Sequence, residues 1–501
     1  MKLRLKDVKN GRKNSNPASL GRGNIRCFDA GRILSFFCRP WSSFGIVLFL
    51  ATPLRASNWY VDASAIGSHN GISWSTAWTN LLQVSGVSAG DTIYISGGPA
   101  GSSQTYNQKE WDPAFSGSPG NPIVFKNGTD STHNGNVIFD GGGTEQFFFG
   151  SHGNFPAHWI TIDGTEGTTN QFITIQRYSN EAFYADNCTN TTLQGIKFIG
   201  NSYRNNSGAN ITFAYDYFNI TNVANTCAIC SGIGSIVHHC TFILARDPVN
   251  GCGDCGVQWP GYGSIIFSNT FIGNVMTNYP GGKHQDGIQA WASHIQIFDN
   301  TFYNLGTSAT FIAPAGSSTP PITNVWVYNN TVEHCWEGLA YGDNNAGTVV
   351  TNWGMIFANN TVSDCAEFNM GNVSGTGTNY SFNSIAANNL VVNSGNGIVI
   401  APENIITNGN VIVTAVNASN YFKAYTKVDG SVGFTTATYD FHLMAAATPL
   451  IGTGTNLTFY FNTDHDNNTR PVSGAWTRGA YQGTNAAAIN VWPPGYLHVG
   501  S

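Results

Sequence analysis

The sequence predicts an all-β fold, a single-stranded parallel β-helix (solenoid), from three observations. A short motif returns about every thirty residues between Cys240 and Asn396. Each copy holds alternating aliphatic residues, a polar turn rich in Asn and a second short apolar run, and no copy has the 3.6-residue apolar period of an amphipathic helix. A regular period made only of short strands and turns indicates stacked coils.

The copies align on the residue that follows the polar turn. These residues are Thr241, Thr270, Thr301, Thr331, Thr361 and Leu390, at spacings of 29, 31, 30, 30 and 29. From the second copy onward, the residues before them are Asn269, Asn300, Asn330, Asn360 and Asn389. Asn suits a left-handed turn position. We expect the five side chains to stack and satisfy one another's amides, which is a structural role.

The first 56 residues differ in composition from the rest of the chain. They hold eleven Lys or Arg against two acidic residues, and a short apolar run around Ile46 to Leu50 precedes Leu54-Arg-Ala56. This arrangement is typical of a secretory signal, and the run is too short to span a membrane. We expect cleavage near Ala56 and a secreted, periplasmic or cell-surface protein with no membrane span in the mature chain.

The remaining chain is acidic. It keeps 11 of the 22 basic residues and 26 of the 28 acidic ones, a net charge of about −15. Such a surface repels nucleic acid and anionic membranes and helps little in binding polyanions. No linker or charge block divides the chain after the leader, so we expect a monomer with one folded domain and no nucleic-acid partner.

Both ends of the mature sequence resemble secreted right-handed parallel β-helix proteins of the pectate-lyase-like superfamily. At the start these are Trp59-Tyr-Val-Asp62, Gly71-Ile-Ser-Trp-Ser-Thr-Ala-Trp78 and Gly90-Asp-Thr-Ile-Tyr94, and at the end Phe441-His-Leu443 and the run from Asp464 to Pro471. The resemblance implies a right-handed coil with an N-terminal cap. It does not define function, because that superfamily holds lyases, glycoside hydrolases, epimerases, esterases and non-catalytic proteins.

These observations divide the chain into four segments. The leader is 1–56, the cap with the first strands is 57–100, the β-helix is 101–440, and a C-terminal coil and tail follow at 441–501. Within the cap, Ser73 to Val84 is predicted as a short helix with Trp74, Trp78, Leu81 and Leu82 on one face.

In a β-helix, a ligand groove crosses consecutive coils, so its residues occupy equivalent positions in neighbouring repeats. The other strand of each coil aligns as Cys255-Gly-Val-Gln-Trp259, Asp286-Gly-Ile-Gln-Ala290, Glu337-Gly-Leu-Ala-Tyr341 and Asn396-Gly-Ile-Val-Ile400. This alignment predicts that Val257, Ile288, Leu339 and Ile398 point inward. Gln258 and Gln289 would face outward, one coil apart.

The densest polar cluster supplies the candidate catalytic residues, which are Arg246, Asp254, Lys283, His284, Asp286 and Glu337. Strand spacing would bring the three carboxylates within roughly 5–10 Å of one another, and paired carboxylates can hydrolyse a glycosidic bond. Alternatively, Lys283 or Arg246 could abstract a proton next to a uronate carboxylate, with Ca²⁺ on an acidic residue stabilising the product anion. In a third interpretation, Asp286 caps a turn.

The candidate substrate-binding residues are Gln258, Gln289, Trp259, Trp291 and Tyr341. Aromatic rings can pack against the C–H faces of sugars while amides bind the hydroxyl groups. The same rings could equally pad loops against the coil.

The cysteines and one acidic loop raise questions of metal binding. Cys227-x-x-Cys230 and Cys252-x-x-Cys255 allow a zinc site, although export favours disulfides. Cys335 and Cys365 occupy equivalent positions in adjacent coils, as a thiol pair or a disulfide. Asp464-x-Asp466-x-Asn468 resembles a calcium loop, but Thr469 stands where the Gly of the tight turn belongs.

We therefore expect a secreted carbohydrate-active protein that cleaves a polysaccharide, as a lyase or a glycoside hydrolase, in a groove near 246–341. The motifs typical of pectate lyases and polygalacturonases are absent from the sequence, so no narrower family is assigned. The alternatives are a non-catalytic glycan-binding or surface/matrix protein, and a structural spike held by zinc or disulfides.

Overall fold

The computed structural model describes most of the chain after residue 55. The described residues are 56–151, 157–186, 188–200, 203–204, 208–220, 227–244, 255–273, 285–312, 321–341, 349–365, 368–372, 378–393, 398–399, 403–425 and 439–483. The predicted leader lies outside them.

Within the described residues the chain winds a right-handed parallel β-helix of three long sheets. Sheet A has 14 strands: Asn58–Val61, Thr92–Ile95, Ile123–Asn127, Ile160–Asp163, Thr192–Gln194, Thr212–Ala214, Ile236–His238, Ile265–Phe267, Gln296–Phe298, Trp326–Tyr328, Val349–Trp353, Ile356–Ala358, Thr378–Ala387 and Glu403–Asn408. Sheet B has 12: Ser103–Asn107, Asn136–Asp140, Ile173–Gln176, Ile196–Ile199, Tyr217–Asn219, Thr241–Ile243, Thr270–Ile272, Thr301–Tyr303, Thr331–Glu333, Thr361–Ser363, Leu390–Val392 and Val411–Val413. Sheet C has 10: Phe149–Ser151, Phe183–Ala185, Tyr203–Arg204, Ile229–Cys230, Val257–Gln258, Ile288–Ala290, Ser308–Ile312, Glu337–Tyr341, Phe368–Asn372 and Ile398–Val399.

The predicted repeat is the coil of this solenoid. The residues after the polar turns pair in one continuous register, Thr241 with Thr270, then Thr301, Thr331, Thr361 and Leu390. The side chains that follow them point inward, and Phe198, Phe218, Phe242, Phe271 and Phe302 stack with ring centroids 4.5–4.9 Å apart. The prediction of a parallel β-helix is confirmed.

The asparagine ladder is also confirmed, and it forms the turn between sheets A and B. Each Asn Nδ2 donates to the Oδ1 of the Asn in the next coil, at 3.0 Å from Asn269 to Asn300 and 3.1 Å from Asn300 to Asn330. The same Oδ1 atoms accept the backbone N–H of the preceding Asn. All of these side chains are buried. The ladder therefore satisfies backbone groups that the turn would otherwise leave unpaired inside the protein.

The N-terminal segment packs on the core, but its predicted helix is wrong. Ser73 to Val84 contains two 3₁₀ turns, Trp74–Thr76 and Leu81–Gln83. Between them Trp78 pairs with Val61 as a β-bridge, because burying this large ring next to sheet A outweighs local helix propensity. Leu82, which the helical pattern placed on the apolar face, is 52% exposed.

The C-terminal part adds elements that the repeat pattern did not predict. A helix, Ala415–Tyr421, is preceded by its N-cap residue Thr414, whose hydroxyl accepts the N–H of Asn417. An antiparallel pair of strands, Phe422–Ala424 and Asp440–Leu443, follows. Residues 444–483 then form turns that pack on the outside of the last coils, with Trp476 and Arg470 fully buried. None of the helices in the described segments is long and apolar enough to cross a membrane.

Candidate functional site

Sheet C carries several of the residues that the sequence predicted for the site. The structure places one more strand between those of Ile288 and Leu339 than the sequence alignment did. Val257 pairs with Ile288 and Ile288 with Thr310, and only then does Thr310 pair with Leu339. Val257, Ile288 and Leu339 are buried, as predicted. The intervening strand, Ser308–Ile312, was missed because it lacks the Gly-aliphatic pattern of its neighbours.

Gln258 and Gln289 lie side by side on the opposite face of the same strands. Gln258 Nε2 donates to Gln289 Oε1 at 2.8 Å. Gln258 is partly exposed, whereas Gln289 is 5% exposed. The pair therefore offers ligand-binding capacity mainly through Gln258, which Gln289 holds in place.

Two tryptophans follow the glutamines at the end of these strands. The rings of Trp259 and Trp291 lie 5.3 Å apart at an interplanar angle of 37°. Trp259 is 45% exposed, and its backbone N–H donates to the Gln289 carbonyl at 2.9 Å. We call these four residues, Gln258, Trp259, Gln289 and Trp291, the amide–tryptophan face.

A row of polar residues runs along the start of the strands of sheet C. Asp286 Oδ1 accepts the backbone N–H of Ser308 at 3.0 Å, and Ser308 Oγ donates to Glu337 Oε2 at 2.7 Å. Ser308 thus links two of the predicted catalytic carboxylates, which lie two coils apart. Asp286 is fully buried and Glu337 is partly exposed. This placement brings both carboxylates into one row and also gives Asp286 a structural bond to the next coil.

The other predicted site residues fall in two groups. Arg246, Asp254, Lys283 and His284 lie outside the described residues. Tyr341 lies in the core at 6% exposure, where its hydroxyl contacts Ser381 and accepts a hydrogen bond from Asn352 Nδ2 at 3.1 Å. A sugar cannot stack on a ring in this position, and Tyr341 is therefore left out of the amide–tryptophan face.

Among the described cysteines, Cys227 and Cys335 carry free thiols. A hydrogen bond to the Cys230 thiol, together with burial, raises the pKa of Cys227, and burial raises the pKa of Cys335 to about 12. A metal ion would have to displace these protons in order to bind. Cys252, the remaining member of the predicted zinc set, lies outside the described residues.

In the calcium-like loop, the carboxylate of Asp464 accepts hydrogen bonds from backbone N–H groups of the protein. Asp464 Oδ1 accepts the N–H groups of Asp466 and Asn468, and Asp464 Oδ2 accepts the N–H of Gln482 at 2.8 Å. Asp466 Oδ2 contacts His442 Nε2 at 2.5 Å. In the part of the chain that the structure describes, no three His, Cys, Asp or Glu side chains are arranged to hold a metal ion.

Several solved structures are similar to this chain at low sequence identity. The pectate lyase Pel9A is 16% identical, with a TM-score of 0.43 and coverage of 86% of this chain and 98% of the other. XylC in complex with xylose is 8% identical, with a TM-score of 0.49 and coverage of 85% and 98%. PfbA, a surface adhesin of Streptococcus pneumoniae, is 11% identical, with a TM-score of 0.39 and coverage of 65% and 84%.

Sequence comparison covers less of the chain. A family model described as periplasmic copper-binding protein (NosD) matches residues 233–428, which is under half of the 501 residues. No curated protein matches this chain.

Proposed function

We propose that the protein is exported and binds polysaccharide on the amide–tryptophan face. The observation that carries this proposal is the hydrogen-bonded Gln258–Gln289 pair beside the partly exposed Trp259–Trp291 pair. Amide groups can exchange hydrogen bonds with sugar hydroxyls, and indole rings bury the C–H faces of the sugar from water. One Gln and one Trp therefore stand in each of two adjacent coils, which suits a ligand that itself repeats.

Alanine substitution of the tryptophans tests this proposal. We expect Trp259→Ala and Trp291→Ala each to weaken binding of the mature chain to its polysaccharide by about tenfold, which corresponds to about 1.4 kcal/mol. The measurement is affinity electrophoresis followed by titration calorimetry over a panel of neutral and acidic polysaccharides. Phe459→Ala is the matched control, because Phe459 is 91% exposed in the C-terminal segment, and it should bind like the wild type. Binding as tight as that of the wild type by all three variants would contradict the proposal.

A second candidate function is cleavage of the bound polysaccharide by a lyase or glycoside hydrolase. It is favoured by the row in which Ser308 links Asp286 to Glu337, since paired carboxylates can divide the roles of acid and base. Lys283, His284, Asp254 and Arg246 are proposed to complete this site, with Ca²⁺ as an optional partner of the carboxylates. A binder needs none of these groups.

Activity assays distinguish the two candidates. If the protein cleaves its ligand, we expect new absorbance near 235 nm for a lyase or new reducing ends for a hydrolase, and Asp286→Asn should lower the rate at least ~100-fold. Parallel assays with calcium and with a chelator test the metal. Because Asp286 also bonds to the backbone of Ser308, the thermal midpoint of the variant must be shown to match the wild type. Binding without either product would exclude cleavage and leave the binding proposal intact.

A further inference from the structure

The turns that lead from sheet C to sheet A form an exposed edge next to the amide–tryptophan face. Backbone hydrogen bonds stack these turns coil upon coil, from Gly234 N–H to the Tyr262 carbonyl at 2.8 Å and onward from His294 to Thr323 and from Asn324 to Trp353, each at 2.8 Å. The exposed residues along this edge are Ile233, Tyr262, His294 and Asn324 in four consecutive turns, followed by Trp353 at the end of the strand Val349–Trp353. We call this row the turn edge.

The turn edge is rich in exposed rings. Tyr262 is 53% and Trp353 is 44% exposed, and Ile233 is 57% exposed. Tyr262 and His294 have ring centroids 4.6 Å apart at an angle of 43°, and Trp353 stacks on Phe382 at 4.8 Å. Soluble monomers rarely expose apolar groups in a contiguous row unless the row binds something.

The row also contains polar groups placed between the rings. His294 Nε2 lies 3.4 Å from Asn324 Nδ2, so an imidazole and an amide stand between Tyr262 and Trp353 along the solenoid. Rings on both sides of hydrogen-bonding groups suit a chain of sugars, which presents both C–H faces and hydroxyls along its length. A purely apolar partner would leave these polar groups without hydrogen bonds at considerable cost.

The absence of charged residues from the turn edge favours neutral over acidic polysaccharides. None of residues 231–235, 259–264, 291–294, 321–324 and 353–354 is Asp, Glu, Lys or Arg. A polyuronate carries a negative charge on every sugar and requires cations, whereas residues 57–501 carry a net charge of about −15. A neutral polysaccharide pays no such electrostatic cost.

We propose that the turn edge extends the amide–tryptophan face into one elongated site for a neutral polysaccharide lying along the solenoid axis. Trp259 and Tyr262 belong to the same turn and join the two surfaces. Five coils at about 4.8 Å per coil span about 19 Å, so the site takes several sugar rings in succession. The inference rests on the proposed binding function and adds its substrate class and its extent.

Oligosaccharides of increasing length test the extent of the site. The probes are gluco-, xylo- and manno-oligosaccharides of three and of six sugar residues, titrated into the mature chain, with polygalacturonate and alginate as acidic competitors at low and at physiological ionic strength. We expect the six-residue form of the preferred sugar to bind at least ~10-fold more tightly than the three-residue form. Tyr262→Ala and Trp353→Ala should each remove most of that gain while leaving the three-residue form unaffected, and Phe459→Ala should change neither.

The outcomes separate this inference from the binding proposal. Equal affinity for both lengths would overturn the inference, as would unchanged binding by Tyr262→Ala and Trp353→Ala when Trp259→Ala and Trp291→Ala lose binding; the binding proposal would then stand. Stronger binding of polygalacturonate or alginate than of every neutral glycan would overturn the neutral substrate class alone. Absence of binding to all neutral and acidic glycans would overturn both.

Discussion

Asn300→Ala is expected to destabilise the protein by on the order of 3–5 kcal/mol, because it breaks the asparagine ladder in its middle. Asn300 Oδ1 accepts the backbone N–H and the Nδ2 of Asn269, each at 3.0 Å. Its own Nδ2 donates to the Ile266 carbonyl at 3.0 Å and to Asn330 Oδ1 at 3.1 Å. Alanine removes all four of these bonds and leaves the buried backbone N–H of Asn269 without its acceptor. The free energy of unfolding in denaturant measures the loss.

Two further variants define the cause. Asn170→Ala changes an exposed Asn and should shift stability by no more than about 0.5 kcal/mol. Asn300→Asp should show a pH-dependent loss, for which Asp216 in the same row of turns is the guide, since burial raises its pKa well above the ordinary 3.8. A buried carboxyl with a raised pKa is protonated and neutral at acid pH, where the variant is most stable. The free energy of unfolding should then fall as the pH rises above that ordinary value. A loss for Asn300→Ala as small as that of Asn170→Ala would refute the structural role of the ladder.

Arg470→Met is expected to release the C-terminal segment from the coil at a cost of on the order of 5 kcal/mol. The Arg470 side chain is fully buried, and burial lowers the pKa of Arg470 to about 10, so it remains charged at neutral pH. Its guanidinium donates to the carbonyls of Thr463, Thr477, Gly479 and Ala480 and to the side chains of Asn329 and Gln482, at 2.9–3.2 Å. The Asn329 bond ties residues 439–483 to a turn of the solenoid. Methionine keeps the length of the side chain but satisfies none of these acceptors.

Limited proteolysis combined with denaturant unfolding measures this effect. Arg470→Met should be cleaved within 439–483 under conditions that leave the wild type intact. Arg470→Lys keeps the charge without the planar set of donors and should fall between the two. Arg478→Met is the matched control in the same segment, where one hydrogen bond to the Thr453 carbonyl is at stake, and it should cost about 1 kcal/mol. Protease resistance of Arg470→Met equal to that of Arg478→Met would contradict this account.

The repeat made the fold predictable, because a parallel β-helix forces equivalent residues into register. The alignment of Thr241 through Leu390 and the Asn ladder follow directly from sequence spacing. Ser73 to Val84 was mispredicted because its apolar spacing fits a helix locally, whereas the burial of Trp78 against Val61 is a long-range contact that the segment alone does not reveal.

The site was only partly predictable, and again the reason is physical. The pairing of Gln258 with Gln289 followed from alignment, but the strand Ser308–Ile312 carries no recognisable motif, so the link from Asp286 through Ser308 to Glu337 was missed. Tyr341 aligned with an exposed position, yet Ser381 and Asn352 offer its hydroxyl partners within the core. The turn edge lies between the aligned strands, and strand alignment gives no information about exposure at turn tips.

The most direct test of the central claim is a crystal structure of the protein with the neutral oligosaccharide that binds best in solution. The account predicts a sugar ring packed within about 4 Å of the Trp259 or Trp291 indole, with its hydroxyls near Gln258 and the oligosaccharide continuing toward Tyr262. An oligosaccharide bound on sheet A or sheet B, with both indoles free of sugar, would contradict it.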